Sequence, residues 1–194
     1  MEARDVTVFI LAGGKSTRMG ADKAFVEYAG RTLLARALDV ARSVTSNVRI
    51  VGSQEKFAPF APVVEDIFCD CGPLGGIHAA LHSSLTELNL MLAVDTPFVS
   101  WAFLQYLISQ ARNAPSATVI VPRSDGARQP LCAVYRREFA VVAENALRAG
   151  RNRIDRLFDE VQTRVIEQAE FEAAGFSHAL FRNLNTPEEL SRAH

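Results

Sequence analysis

The sequence predicts an α/β fold built on a largely parallel sheet. Short apolar runs alternate with stretches of helical periodicity along the chain. The runs Val6–Ala12 and Asn89–Val94 are apolar almost throughout, as strands covered on both faces must be. The length, 194 residues, suits one domain or at most two small lobes. A chain of this size buries about 70% of its unfolded surface and needs no staples.

Val6–Ala12 (VTVFILA) reads as a buried strand, and a polar, glycine-containing loop follows from Gly13 to Lys23. Across Thr32–Val44, apolar residues at Leu33, Leu34, Ala37, Leu38 and Ala41 form a helical stripe. Val48–Val51 is a second strand and Val63–Val64 a short third. Gly72–Gly76 leads into a helix expected over Ile77–Leu85. Asn89–Val94 is a buried strand ending at Asp95-Thr96-Pro97, and Trp101–Ala111 a helix with Ser100 as N-cap. Ala117–Val121 and Leu131–Tyr135 are strands flanking the turn signal Ser124-Asp125-Gly126. Arg137–Arg148 is a helix stopped by Gly150. Two short helices, a strand near Thr163–Ile166 and a last helix from about Pro187, capped by Thr186, complete the chain.

Composition excludes several classes. Hydrophobic residues are 48% and charged residues 22%, which argues against disorder. The net charge is −1 with no basic or acidic tail, so duplex nucleic acid is not an expected partner. The start lacks a basic n-region, and the apolar run Val6–Ala12 is too short for a signal segment or membrane span. Three cysteines give no even disulfide framework. These features predict a cytoplasmic protein with reduced thiols and no membrane partner.

In open parallel sheets, ligands bind beyond the carboxyl ends of the strands. The Gly13–Lys23 loop and Asp95 both fall at that edge, which makes two motifs one candidate site. Adjacent glycines let backbone N–H groups approach an anion. Only three lysines occur, and Lys15 and Lys23 share this loop with Arg18. Cations beside a glycine turn are what a triphosphate requires. Neither the Walker A spacing nor the G-x-G-x-x-G fingerprint is present.

The loop reads L-A-G-G-x-x-x-R-M-G-x-D-K over Leu11–Lys23. Val64-Glu65-Asp66 precedes Gly72-Pro73-Leu74-Gly75-Gly76, then come Val94-Asp95-Thr96-Pro97 and Asn183-Leu184-Asn185-Thr186-Pro187-Glu188-Glu189-Leu190. These four blocks, in this order and spacing, resemble the nucleotidyltransferases similar to molybdenum cofactor guanylyltransferase. Sugar-nucleotide pyrophosphorylases carry G-x-G-T-R instead. The cytidylyltransferase acting on the same cofactor usually has L-A-A-G and lacks G-P-L-x-G.

The resemblance implies a three-layer α/β/α sandwich with a mostly parallel, Rossmann-like sheet of the nucleotide-diphospho-sugar transferase type. It implies a single domain over residues 1–194, nucleotide-binding to about residue 113 and acceptor-binding beyond. The implied reaction is transfer of GMP from GTP to molybdopterin or the molybdenum cofactor, releasing pyrophosphate. Arg18, Lys23 and Asp95 are then expected to be catalytic, with Asp95 a hard oxygen ligand for Mg²⁺. Leu11, Ala12, Gly13, Gly14, Lys23, Gly52, Asp66, Gly75, Gly76 and Asp95 are expected at the nucleotide. Arg153, Asn183 and Asn185 are expected at the acceptor, with Arg128 and Arg151 as further cations for an anionic pterin. Cofactor-biosynthesis or molybdoenzyme-chaperone proteins are expected partners. Gly52 stands where the family often has an asparagine, so base recognition is expected to shift toward Ser53 or Gln54. That departure keeps open a cytidylyl donor or another phosphorylated acceptor. A nucleotide-binding protein without transfer activity would have less need of Arg18, Lys23 and Asp95 together.

Other signals carry less. Cys69-Asp70-Cys71 falls short of the four ligands of a closed zinc site, and Cys132 is expected in the core. His78 and His82 lie four apart without the glutamate of H-E-x-x-H. Trp101 is expected to pack, and no G-x-S-x-G elbow occurs.

Overall fold

The computed structural model describes residues 5–13 and 22–183. In chain order the elements are β1 (Val6–Leu11), β2 (Glu27–Tyr28), β3 (Arg31–Thr32), α1 (Leu33–Arg42), β4 (Val48–Val51), α2 (Gln54–Phe57), β5 (Val63–Val64), α3 (Pro73–Ser83) and β6 (Leu88–Ala93). Then follow α4 (Trp101–Asn113), β7 (Val119–Ser124), β8 (Ala127–Arg128), β9 (Cys132–Arg136), α5 (Phe139–Arg148), α6 (Ile154–Leu157), β10 (Thr163–Ile166) and α7 (Gln168–Ala173). The main sheet has the order β10-β7-β9-β6-β1-β4-β5, with β8 folded back on β7. β5, β4, β1 and β6 run parallel, as do β7 and β10. β9 is reversed between β6 and β7, so β7 and β10 point the same way as β1. This is the largely parallel sheet that the apolar runs predict, in the α/β/α sandwich that the resemblance implies.

The alternation of a strand fixes the two cores. Val6, Val8 and Ile10 of β1 face the layer built by α1, α4 and α7, whereas Phe9 faces α3, α5 and α6. Both faces are covered, so β1 and β6 are buried along nearly their whole length. At the amino ends of the strands the sheet is closed by polar side chains. Thr7 Oγ1 lies 2.7 Å from Thr86 Oγ1 and accepts a hydrogen bond from Asn47 at 2.6 Å. Buried Asn89 donates to the Tyr135 carbonyl at 3.3 Å. The opposite, carboxyl edge carries the long loops.

The Ser100 cap acts where the sequence places it, and Thr32 caps α1 in the same way. The Thr32 hydroxyl accepts from Ala35 N at 3.2 Å, and the Ser100 hydroxyl from Phe103 N at 3.3 Å. Asp125 and Gly126, at φ 50° and 77°, make the tight turn from β7 to β8. Two expectations need correction. The helix expected over Ile77–Leu85 begins at Pro73 and ends at Ser83. Proline at the first helical position is favourable, and close packing on Gly75 and Gly76 outweighs their poor propensity. The β2–β3 hairpin, turning at Ala29 and Gly30, was not expected from so short a pattern. The last helix, expected from about Pro187, lies outside the described residues.

Phe103 of α4 docks the chain that follows β10. Its ring meets those of Phe171, Phe176 and Phe181 at 5.9, 5.1 and 5.4 Å between centroids. Replacing Phe103 by Ala is expected to cost about 3–5 kcal/mol, read as a lowered urea midpoint.

Candidate active site

The strand order β5-β4-β1-β6 reverses direction at β1, because β4 and β5 follow on one side and β6 returns on the other. Open sheets of this kind place their ligand crevice at that point, beyond the carboxyl edge. Downstream of β1, Asp22 caps a 3-10 turn formed by Lys23–Phe25. The loop after β6 carries Asp95. Lys23 Nζ donates to Asp95 Oδ2 at 3.2 Å, each side chain being roughly one-fifth exposed. Two residues far apart in sequence thus meet at the switch point, partly withdrawn from solvent screening.

A second chain of contacts holds the Lys23 turn from the other side. Asp22 Oδ1 accepts from Ala24 N at 3.2 Å and caps the turn. Asp22 Oδ2 accepts from Lys56 Nζ of α2 at 2.9 Å, and this hydrogen bond raises the Lys56 pKa. Phe25 stacks on Phe57 of α2 at 5.8 Å and packs on Phe60 at 5.9 Å. Lys56 was counted in the sequence but not placed at the site. Its carboxylate partner is the Asp of the x-D-K block, which is the signal that could have linked them.

The expected nucleotide residues cluster around this crevice. Ala12 N and Gly13 N both donate to the Val51 carbonyl, at 3.0 and 3.1 Å, which lays the end of β1 along the end of β4. Gly13 and Gly52 are in close contact there. Gly52 is a glycine for a packing reason. A β-carbon on it would sit 2.7 Å from the Phe57 ring, which is itself buried. The bulk that a side chain would supply is already present as Phe57. The structure leaves Gln54 N bonded to Glu65 Oε1 at 2.9 Å.

Gly75 and Gly76 lie in the first turns of α3 and let it approach the edge closely. A β-carbon on Gly75 would be 2.8 Å from the Phe68 carbonyl. One on Gly76 would touch Leu11, Val51 and Asp66 Oδ1 at 3.4–3.6 Å. Leu11, Gly76 and Asp66 are therefore neighbours. Asp66 is exposed as a whole residue, yet burial of its carboxyl group against this helix start raises its pKa.

The acceptor residues are more scattered. Arg153 precedes α6, which packs in the α3–α5 layer, whereas Asn183 follows a 3-10 turn, His178–Phe181, in the α1–α4 layer. They approach from opposite faces of the sheet. Arg153 makes no hydrogen bond or ion pair among the described residues. Arg128 is engaged by the Asp155 carbonyl at 2.9 Å and Asp159 at 3.0 Å, and Arg151 by Glu160. Gly14, Lys15, Arg18 and Asn185 lie outside the described residues.

Among the described residues no group of three or more His, Cys, Asp or Glu could hold a metal. A lone carboxylate is nonetheless the protein share that Mg²⁺ commonly takes when substrate phosphates supply other ligands, and Asp95 suits that donor set. His78 is core rather than ligand. It is 2% exposed, edge-on to Phe68 at 5.1 Å and stacked on His82 at 5.8 Å, with neither ring nitrogen bonded among the described residues. Burial lowers its pKa; Glu144 opposes this, and His82 and Arg148 add to it. Cys132 is buried in β9, which pushes its thiol up to about 12, so it is packing. Trp101, by contrast, is half exposed rather than packed.

A switch-point crevice holding a lysine–carboxylate pair and bare glycine backbone is the frame of a nucleotide-binding α/β protein. The MobA-like NTP transferase domain matches residues 8–170. The chain belongs to that family. It is 36% identical to the molybdenum cofactor guanylyltransferase of Desulfosudis oleivorans over 191 residues, 97% of this chain and 94% of the relative. Its fold superposes on molybdopterin-guanine dinucleotide biosynthesis protein A from Archaeoglobus fulgidus with a TM-score of 0.83 and 26% identity, covering 96% of each chain. The 2-C-methyl-D-erythritol 4-phosphate cytidylyltransferase of Thermus thermophilus shares the fold at TM-score 0.72 and 19% identity, over 100% of this chain and 97% of that one. Among the described residues no helix is long and apolar enough to cross a membrane.

Two outcomes are expected from this geometry. Gly52→Ala should destabilise by about 1–3 kcal/mol through overpacking, and adding Phe57→Leu should recover part of that loss in a thermal melt. His78 binds a proton less readily folded than unfolded, so its contribution is intact above pH 6.5 and shrinks as the pH falls below it. Urea midpoints from pH 7.5 to 5 should decline less steeply in His78→Leu, by at most about 1.4 kcal/mol per pH unit.

Proposed function

We propose that the protein transfers GMP from GTP to the terminal phosphate of molybdopterin or its molybdenum form, in the cytoplasm. The observation that carries this reading is the Lys23–Asp95 pair at the switch point, 3.2 Å apart, in a chain of this family. An acceptor phosphate oxygen attacks the α-phosphorus of GTP. A new phosphoanhydride bond forms as the bond to the β-phosphate breaks, and pyrophosphate leaves. Such a transfer asks the protein for positioning and charge stabilisation more than for covalent chemistry.

Lys23 and Arg18 neutralise charge on the transferring and leaving phosphates. Bare backbone from Leu11 to Gly14, with Gly52, lies along the nucleotide, and Asp66 with Gly75 and Gly76 borders the base. Asp95 holds Mg²⁺, which supplies neutralisation of the phosphate oxygens when bound. Before substrate arrives, Lys23 acts as a stand-in cation that keeps the Asp95 carboxylate oriented. Arg153, Asn183 and Asn185 meet the anionic pterin.

The test is product mass. The purified protein is incubated with molybdopterin, Mg²⁺ and either GTP or CTP in separate tubes. A GMP adduct from GTP alone is expected, despite the absence of a side chain at Gly52. A CMP adduct would move the protein to the cytidylyl branch, and no adduct would remove the proposal. Asp95→Ala should abolish turnover while leaving some GTP binding. Lys23→Ala should lower kcat more than it raises KM, because its charge acts as the bond breaks.

A further inference from the structure

Arg182 follows the His178–Phe181 turn directly, and its backbone N–H donates to the Ala179 carbonyl at 3.2 Å. The turn is anchored by Phe181, which packs edge-on against Phe103. The Arg182 guanidinium lies 5.5 Å from the centre of the Phe98 ring. Phe98 is three residues beyond Asp95 in the same loop. That loop is held by the Thr96 hydroxyl, which donates to the Ala93 carbonyl at 2.8 Å, and by Val99 N on the Thr96 carbonyl at 3.3 Å. Phe98 also meets Tyr28 edge-on at 5.7 Å, and Tyr28 lies under Arg36 at 4.9 Å. Arg36, Tyr28, Phe98 and Arg182 thus form one ladder across the carboxyl edge, and Arg182 is its outer rung.

The two arginines of the ladder differ in what their donors do. Arg36 spends its N–H groups on the Tyr28 and Ala29 carbonyls, at 2.8–3.3 Å. Arg182 donates no side-chain hydrogen bond and forms no ion pair among the described residues, in contrast to Arg128, Arg151 and Arg164, which face acids. A cation held over a ring face is attracted by the ring's quadrupole and needs no hydrogen bond to stay there, so its N–H donors are not consumed by the contact. An arginine held by an aromatic ring beside the carboxylate loop, its donors unspent among the described residues, matches the oxygens of a phosphoryl group.

We propose that Arg182 is a phosphate-binding residue, and that Phe98 positions it. The inference rests on the nucleotidyl-transfer reading for which phosphates are present, those of GTP or that of the acceptor. The experiment separates them. GTP and molybdopterin are titrated separately, by calorimetry, into the full-length protein and into Arg182→Ala, Arg182→Lys and Phe98→Leu. Arg182→Ala should weaken one of the two ligands about tenfold, the size of a lost charge-assisted hydrogen bond. Arg182→Lys should recover only part of it, because a point charge lacks the fork. Phe98→Leu keeps the apolar packing and removes the ring face, so it should weaken the same ligand by a smaller factor. The affected ligand identifies the phosphate. Affinities unchanged within twofold for both ligands would overturn the proposal, as would an equal loss for both that follows a fall in Tm. Failure of guanylyl transfer itself would appear differently, as an unaltered protein that binds ligands and forms no GMP adduct.

Discussion

The pairing of β1 between β4 and β6 is the constraint from which the rest of the site takes its position. Leu11 lies opposite Val51 on one side and Ala93 on the other. The pairing runs on past the strand, with Ala12 N and Gly13 N on the Val51 carbonyl and Val94 N on the Leu11 carbonyl at 3.2 Å. A slip of one residue would turn Phe9 out of its layer and exchange the two cores. It would also part Gly13 from Gly52 and move the loops bearing Lys23 and Asp95 out of line. The geometry of the proposed site at the carboxyl edge is therefore bound to burial in the middle of the sheet, while the hydrogen-bonded threonines and asparagines close the far end.

On that frame the crevice is tied together from both flanks. Lys56 holds Asp22, Asp22 caps the turn carrying Lys23, and Lys23 meets Asp95. Phe57 lies on Gly52 and stacks on Phe25, so α2 supports the proposed nucleotide side with a ring instead of a polar side chain. The exposed Lys56–Asp22 pair adds little to global stability, since surface ion pairs are worth about 0–1 kcal/mol. Its effect is local, on where one ammonium group points. On the other flank, the Tyr28–Phe98–Arg182 ladder sets the loop of Asp95 against the segment that leads to Asn183.

Much of this was legible in the sequence because it is encoded locally. Apolar runs gave Val48–Val51 and the buried strands, the Ser100 hydroxyl marked the cap of α4, and Asp125-Gly126 marked its turn. The convergence of Lys23 and Asp95 followed from a topological rule and from two motifs in order. What stayed hidden depends on contacts distant in sequence. Nothing near Gly52 says that Phe57 fills its space, and nothing near Arg182 points to a ring in the loop of Asp95. The early start of α3 was missed because glycine propensity is a local average, whereas packing against Phe68, Leu11 and Val51 is not. Arg153 and Asn183, grouped by motif, enter from opposite layers, a separation that only topology reveals.

On the proposed function, Lys23 and Asp95 work as one unit at the switch point. A double-mutant cycle on kcat/KM for GMP transfer, using Lys23→Gln, Asp95→Asn and the pair, tests it most directly. Strong non-additivity is predicted, with the pair losing little more than the worse single variant, as for groups that act together. Losses that simply add would contradict the account, since the two residues would then serve the reaction independently and their contact would be incidental.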